Sequence, residues 1–215
     1  RSSEINRIIL NIGGIANITV LPADNSKEVV GFDTGPGNGL MDYWTQKNLN
    51  MDYDIDGKWA AQGTCNGELL GIFMEEQYFS LNPPKSTGKD EFNQLWLTQN
   101  LERLNMDISN TDVQRTLLEL SARSISDAIK YYQQDIIELL LCGGGIHNPI
   151  FVNRLKELIP GIDAISTEKY GLHPDAVEAA AFAWLAKCRL EKVPGNIPHV
   201  TGAKKPTVLG AIYEA

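Results

Sequence analysis

The chain has 215 residues, with 19 Lys and Arg against 27 Asp and Glu, a formal net charge of −8 and a pI near 4.9. That balance argues against a nucleic-acid backbone or an anionic membrane surface as the main partner, because both need clustered positive charge. Hydrophobic residues make up 43% and charged residues 21%, which excludes a disordered chain and supports one large core or two small ones.

No apolar run approaches the roughly 20 residues that span a bilayer. The first residues, Arg1, Ser2, Ser3 and Glu4, do not resemble a signal peptide, so a cytoplasmic protein is expected. Cys65, Cys142 and Cys188 are far apart, odd in number and without a C-x-x-C pair; they form neither a disulfide framework nor a zinc site. His147, His173 and His199 are equally scattered and read as surface or structural residues. The start at Arg1, without methionine, leaves room for a piece of a longer protein.

In chain order, Ile8 to Leu21 is rich in β-branched residues and broken by Gly13-Gly14, which predicts two strands joined by a tight turn. A third strand, Val29 to Phe32, ends at Asp33. After the glycine-rich stretch Gly35 to Gly39, the spacing of Leu40, Met41, Tyr43 and Trp44 predicts a helix starting close to Asn38. Helices are expected around Gly67 to Tyr78 and Glu91 to Asn105, flanking the loop Asn82 to Gly88. A long helix from Thr111 buries a stripe that includes Val113, Leu117, Leu120, Ile125 and Ile129.

Ile136 to Cys142 is an almost unbroken apolar run, as a parallel strand buried on both faces requires. Asn148-Pro149 suits the cap and first position of a helix through Leu158. A short strand, Ile162 to Ile165, and an alanine-rich helix, Pro174 to Leu190, complete an α/β pattern with a covered sheet.

Two glycine clusters are the strongest chemical signals. In Gly31-Phe32-Asp33-Thr34-Gly35-Pro36-Gly37-Asn38, an acid at a strand end leads into a loop whose N–H groups can converge on phosphate oxygens at a helix N-terminus. The plain alternative is a glycine turn that Asp33 caps itself. Cys142-Gly143-Gly144-Gly145-Ile146-His147-Asn148 follows a buried strand and permits close approach of backbone to a flat ligand such as adenine, or is simply a strand-to-helix turn. Glu178 has small neighbours that would let its helix turn a carboxylate inward; an exposed glutamate is the alternative. Asp52 to Gly57 matches the first half of an EF-hand loop, but its twelfth position is Gly63 rather than a bidentate glutamate. Ser86-Thr87-Gly88-Lys89 has the wrong residue order for a P-loop.

The stretches LNIGGIANIT, GFDTGPGN, DGKWAAQG, NPPKSTGKDEFN, LLLCGGGIHNPIF, DAVEAAAFAWLA, TGA and VLGAIY together resemble the anhydro-N-acetylmuramic acid kinases, of the acetate and sugar kinase, heat-shock chaperone and actin superfamily. The resemblance implies an RNase-H-like (actin-like ATPase) lobe with a mixed sheet, helices on both faces and a helical insertion. It further implies ATP with Mg²⁺ as cofactors and an amino-sugar substrate. Asp33 would be the general base, Gly35, Gly37 and Asn38 would belong to a phosphate loop, Gly143, Gly144, Gly145 and Asn148 to an adenosine loop, and Glu178 to the sugar side. No protein metal ligand, nucleic acid or membrane is implied, and a homodimer is compatible with it. The family's first phosphate loop has no counterpart here, so residues 1–215 are expected to be a C-terminal lobe. A regulatory nucleotide-binding module without sugar chemistry, or a kinase of another small sugar, remain the competing readings.

Overall fold

The computed structural model describes residues 2–132 and 136–213. Strands β1 (Asn6–Ile12) and β2 (Ile15–Leu21) form an antiparallel hairpin around Gly13-Gly14, and β3 (Val30–Pro36) pairs antiparallel with β2. On the other side of β1, β4 (Ile136–Cys142) and β5 (Asp163–Ser166) add in parallel, so the order is β3-β2-β1-β4-β5. A three-stranded meander extended by two parallel strands through helical crossovers is the RNase-H-like arrangement.

The pleat decides which side chains face the core. On β1 and β2 every second residue, Ile8, Leu10 and Ile12 and then Ala16, Ile18 and Val20, is buried. β4 is buried on both sides: Leu139 and Leu141 join the main core, while Leu140 and Cys142 are buried outside it. Fully burying each such aliphatic side chain contributes about 1.5 to 3 kcal/mol.

The main core lies under the long helix α5 (Asn110–Lys130), and the expected stripe Val113, Leu117, Leu120, Ile125 and Ile129 is buried throughout. Ser109 starts that helix by accepting the Asp112 amide at 3.1 Å. Around it lie α1 (Gly39–Leu49), α2 (Gly67–Met74) and α6 (Pro149–Leu158). Glu119 of α5 accepts Arg154 of α6 at 2.7 and 2.8 Å and its own neighbour Arg123 at 2.7 Å, which ties the two helices together.

Between α1 and α5, the short helix α3 (Gln77–Ser80) and α4 (Gln94–Glu102) close an aromatic cluster. Phe92 stacks on Phe79 at 5.6 Å between ring centroids and meets Tyr78 and Trp96 edge-on at 5.7 and 5.3 Å. This cluster anchors both ends of the segment that faces Asp33.

Several element boundaries differ from the expectation, among them that of α4, which runs over Gln94–Glu102 rather than Glu91 to Asn105. β3 does not end at Asp33: Gly35 and Pro36 keep pairing with Ala16 and Ile15, so the acid sits within the strand. The helix expected over Gly67 to Tyr78 breaks into α2 and α3, and the one expected from Pro174 opens as a tight turn, Pro174–Ala176, before α7 (Val177–Glu191). In α7 only Cys188 is fully buried, and Phe182 and Trp184 stay 65% and 54% exposed. Among the described residues no helix is long and apolar enough to cross a membrane.

Candidate functional site

Asp33 is half-buried on β3 opposite Asn17, beside an irregularity in the β2 register between Ala16 and Asn17. Its carboxylate Oδ2 accepts the Ser86 hydroxyl at 2.7 Å and the Thr87 amide at 3.0 Å. Its main chain is held as well: the Asp33 amide donates to the Lys85 carbonyl at 3.3 Å, and the Tyr78 hydroxyl donates to the Asp33 carbonyl at 2.6 Å. Burial, reinforced by the nearby Asp33 charge, pushes the Tyr78 phenol up, so it stays a donor. A hollow of about 220 Å³ opens here, walled by Asn17, Thr19, Gly31, Asp33, Lys85 and Ser86.

The loop after Asp33 docks onto the β1–β2 turn. The N–H groups of Gly37, Asn38 and Gly39 donate to the carbonyls of Gly14, Gly13 and Gly14 at 3.0, 2.9 and 3.1 Å. The amides that the sequence pattern offers to phosphate are therefore spent inside the protein. The glycines are needed for packing: a Cβ on Gly37 would lie 2.1 Å from the Gly13 carbonyl oxygen, and Gly35, at φ +133°, would meet the Phe79 ring at 2.7 Å. What remains for a ligand at the start of α1 is the Asn38 side chain. Its amide nitrogen donates to Asp42 Oδ2 at 2.7 Å, and its Oδ1 is buried without a partner among the described residues.

Asn38, Gly144, Gly145 and Asn148 converge on one cavity of about 430 Å³, shared with Met41, Asp42, Tyr53, Asp54, His147 and Asp175. That size lies within the range of roughly 300 to 1,000 Å³ for small-molecule sites. The glycine run divides by role. Gly143, at φ +84°, would place a Cβ 2.3 Å from Asn11 Oδ1, and Gly145 would place one 2.2 Å from the Ile12 side chain. A Cβ on Gly144 meets nothing within 4 Å, so Gly144 alone presents a bare, open face. The Asn148 side chain caps α6, accepting the Phe151 amide at 3.0 Å.

The cavity wall is acidic, which the residue pattern did not signal. Burial pushes the Asp42 carboxyl up to about 6, against the Asn38 hydrogen bond and with a further push from Asp54. Asp54 accepts the amides of Trp59 and Ala60 at 2.8 and 2.9 Å, so this acid of the half EF-hand serves its own loop. Asp175 meets His147 Nε2 at 2.9 and 3.0 Å. Asp33, Gly35, Gly37 and Gly143 do not line this cavity, and Glu178, in the first turn of α7, lines neither hollow. Asp42 and Asp175 were missed because an acid in a first helical turn reads as a dipole or cap residue.

A family model described as anhydro-N-acetylmuramic acid kinase matches residues 1–215. Curated proteins of that name from Coxiella burnetii (strain Dugway 5J108-111) and Pseudomonas syringae pv. syringae (strain B728a) are 52% and 49% identical over 213 and 210 residues. The alignments cover 99% and 98% of this chain, and the chain spans 57% of the length of each relative. Among solved structures, the activator of a 2-hydroxyisocaproyl-CoA dehydratase from Clostridium difficile, with bound ADPNP, is similar at 19% identity and TM-score 0.44, covering 90% of this chain and 65% of that one. A xyloylose kinase from Brucella ovis is similar at 10% identity and TM-score 0.47, covering 74% of this chain and 35% of that one.

Proposed function

The chain belongs to the anhydro-N-acetylmuramic acid kinase family, and from that premise we propose that it is the C-terminal lobe of a two-lobed, cytoplasmic kinase of peptidoglycan recycling. The reaction opens 1,6-anhydro-N-acetylmuramic acid with water and phosphorylates it to N-acetylmuramic acid 6-phosphate, with ATP converted to ADP. The observation that carries the reading is the convergence of Asn38, Gly144, Gly145 and Asn148 on one cavity, with Asp33 on the strand that leads into it.

In this mechanism Asp33 accepts a proton from the water that attacks the anomeric carbon. The new C1–O bond replaces the C1–O6 bond, whose electron pair leaves on O6, and O6 takes the γ-phosphoryl group. A positioned general base contributes about 10² to 10⁴ in rate. Gly144 gives the adenosine a flat wall, and Gly35, Gly37, Gly143 and Gly145 hold the two loops in the shape the cavity needs. Glu178 is assigned to the sugar side, where the second lobe would complete the pocket.

The acidic wall bears on the cofactor. Buried Asn38 Oδ1, without a donor among the described residues, and Asp42 beside it are hard oxygen ligands of the kind Mg²⁺ prefers. Among the described residues no group of three or more His, Cys, Asp or Glu could hold a metal unaided. Asn38 and Asp42 would thus hold Mg²⁺ together with nucleotide oxygens and water. When bound, the ion would neutralise charge on the transferring phosphoryl group.

The test is product identity. The polypeptide at the length of its relatives, given ATP and the anhydro sugar, should yield a phosphorylated monosaccharide by mass spectrometry. ATP hydrolysis indifferent to the sugar would support the regulatory-module reading instead.

A further inference from the structure

We propose that Ser86, together with the Thr87 amide, is the positioning element of the Asp33 base. The inference rests on Asp33 acting as general base, and it gives a role to the Ser86-Thr87-Gly88-Lys89 stretch.

The two carboxylate oxygens of Asp33 are not equivalent. Oδ2 receives both the Ser86 hydroxyl, at 2.7 Å, and the Thr87 N–H, at 3.0 Å, while among the described residues no hydrogen bond reaches Oδ1. Two donors from consecutive residues occupy the lone pairs of Oδ2 and set the rotation of the carboxylate about its last bond. Oδ1 is thereby left as the oxygen that takes the proton from water. Because a general base must come within about 2.6 to 3.2 Å of the oxygen it deprotonates, a carboxylate free to rotate spends much of its time misaligned.

The same segment fixes the main chain around the carboxylate. The Lys85 carbonyl accepts the Asp33 amide and the Tyr78 hydroxyl donates to the Asp33 carbonyl, so three consecutive loop residues, Lys85, Ser86 and Thr87, and Tyr78 of α3 together hold one residue of β3. The loop has its own anchors. The Lys85 ammonium donates to the Tyr78 carbonyl at 3.1 Å, the amides of Glu91 and Phe92 both donate to the Gly88 carbonyl at 3.1 Å, and Tyr78 and Phe92 belong to the aromatic cluster. Ser86 itself is exposed, so losing its hydroxyl removes a hydrogen bond without opening a cavity.

The experiment uses the polypeptide at the length of its relatives, with steady-state kinetics on ATP and the anhydro sugar. Ser86→Ala should lower kcat about tenfold to a hundredfold with both KM values within about twofold, in line with the cost of a small misplacement of a catalytic group. Ser86→Thr, which keeps the hydroxyl, should recover most of that loss, and the thermal midpoint of each variant should stay at the parent value. Wild-type kcat in Ser86→Ala, or a change in KM alone, with Asp33→Asn inactive, would overturn the role of Ser86 and leave the base assignment standing. Near-normal turnover in Asp33→Asn itself would overturn both.

Discussion

The Asn38 side-chain amide donates to Asp42 Oδ2 at 2.7 Å, so the residue just before α1 and the acid one turn later face the cavity as a pair. The pair sits where the loop leaving the Asp33 strand enters a helix, and it is the meeting point of the fold's electrostatics with the proposed chemistry.

Asp42 makes stability pH-dependent in an identifiable direction. Its carboxyl is raised from 3.8 to about 6, so between those pH values the folded protein holds a proton that the unfolded chain has released. Stability therefore falls as pH rises through that window. Asp42→Asn should flatten the slope and add about 1 kcal/mol at pH 7, a figure discounted for partial exposure of the site. Urea unfolding at several pH values between 4 and 7 reads it, and an unchanged slope would contradict the assignment.

Adjacent glycines should respond oppositely to one methyl group. Gly145→Ala drives a Cβ into Ile12 and should cost about 2 kcal/mol or more, seen as a lower denaturation midpoint. Gly144→Ala meets no atom of the protein and should leave stability within about 0.5 kcal/mol. Because Gly144 lines the cavity, that variant should instead weaken nucleotide affinity, measurable by calorimetry on the polypeptide at the length of its relatives.

The α5–α6 clamp has an acid-labile signature. The Arg154 hydrogen bonds, against some desolvation and with help from Arg123, hold the Glu119 carboxyl down from 4.5 to about 2. Its stabilisation is complete above the ordinary value and is lost as pH falls from 4.5 toward 2. Glu119→Gln removes the negative charge that both guanidinium groups face and leaves them one acceptor oxygen in place of two, which should cost about 2 kcal/mol at neutral pH. A variant as stable as the parent would contradict this.

The 215 residues alone should bind nucleotide weakly and show no phosphotransfer. In-line transfer needs every reactant positioned at once, and the acidic cavity offers a phosphate no lysine or arginine among its lining residues. A coupled ADP-release assay on the isolated chain checks this; robust turnover would defeat the two-lobed reading.

The sheet was legible where one strand or helix carried its own signal. Strand β4 and helix α6 match the expected bounds, because a doubly buried apolar run and an Asn-Pro start are local properties. The end of β3 was not, since its extension through Gly35 and Pro36 depends on pairing with β2. The site divides in the same way. Asn38 of the expected phosphate loop and Gly144, Gly145 and Asn148 of the expected adenosine loop come together on one cavity, a convergence that neither loop signals alone. The hydrogen-bond partners of Gly37, Asn38 and Gly39 could not be read, because their acceptors belong to a turn contributed by an earlier hairpin. Ser86 was invisible for a similar reason: its contact with Asp33 exists only once the aromatic cluster has folded the intervening segment back on β3.

The central claim is that Asp33 activates the water that opens the anhydro bridge. Its most direct test is turnover of an Asp33→Asn variant, made in the polypeptide at the length of its relatives and assayed in ¹⁸O-enriched water with ATP and the anhydro sugar. The account predicts that the parent incorporates the label at the anomeric carbon of the phosphorylated sugar, and that the variant forms neither labelled sugar nor ADP. Near-normal formation of labelled, phosphorylated sugar by the variant would contradict it.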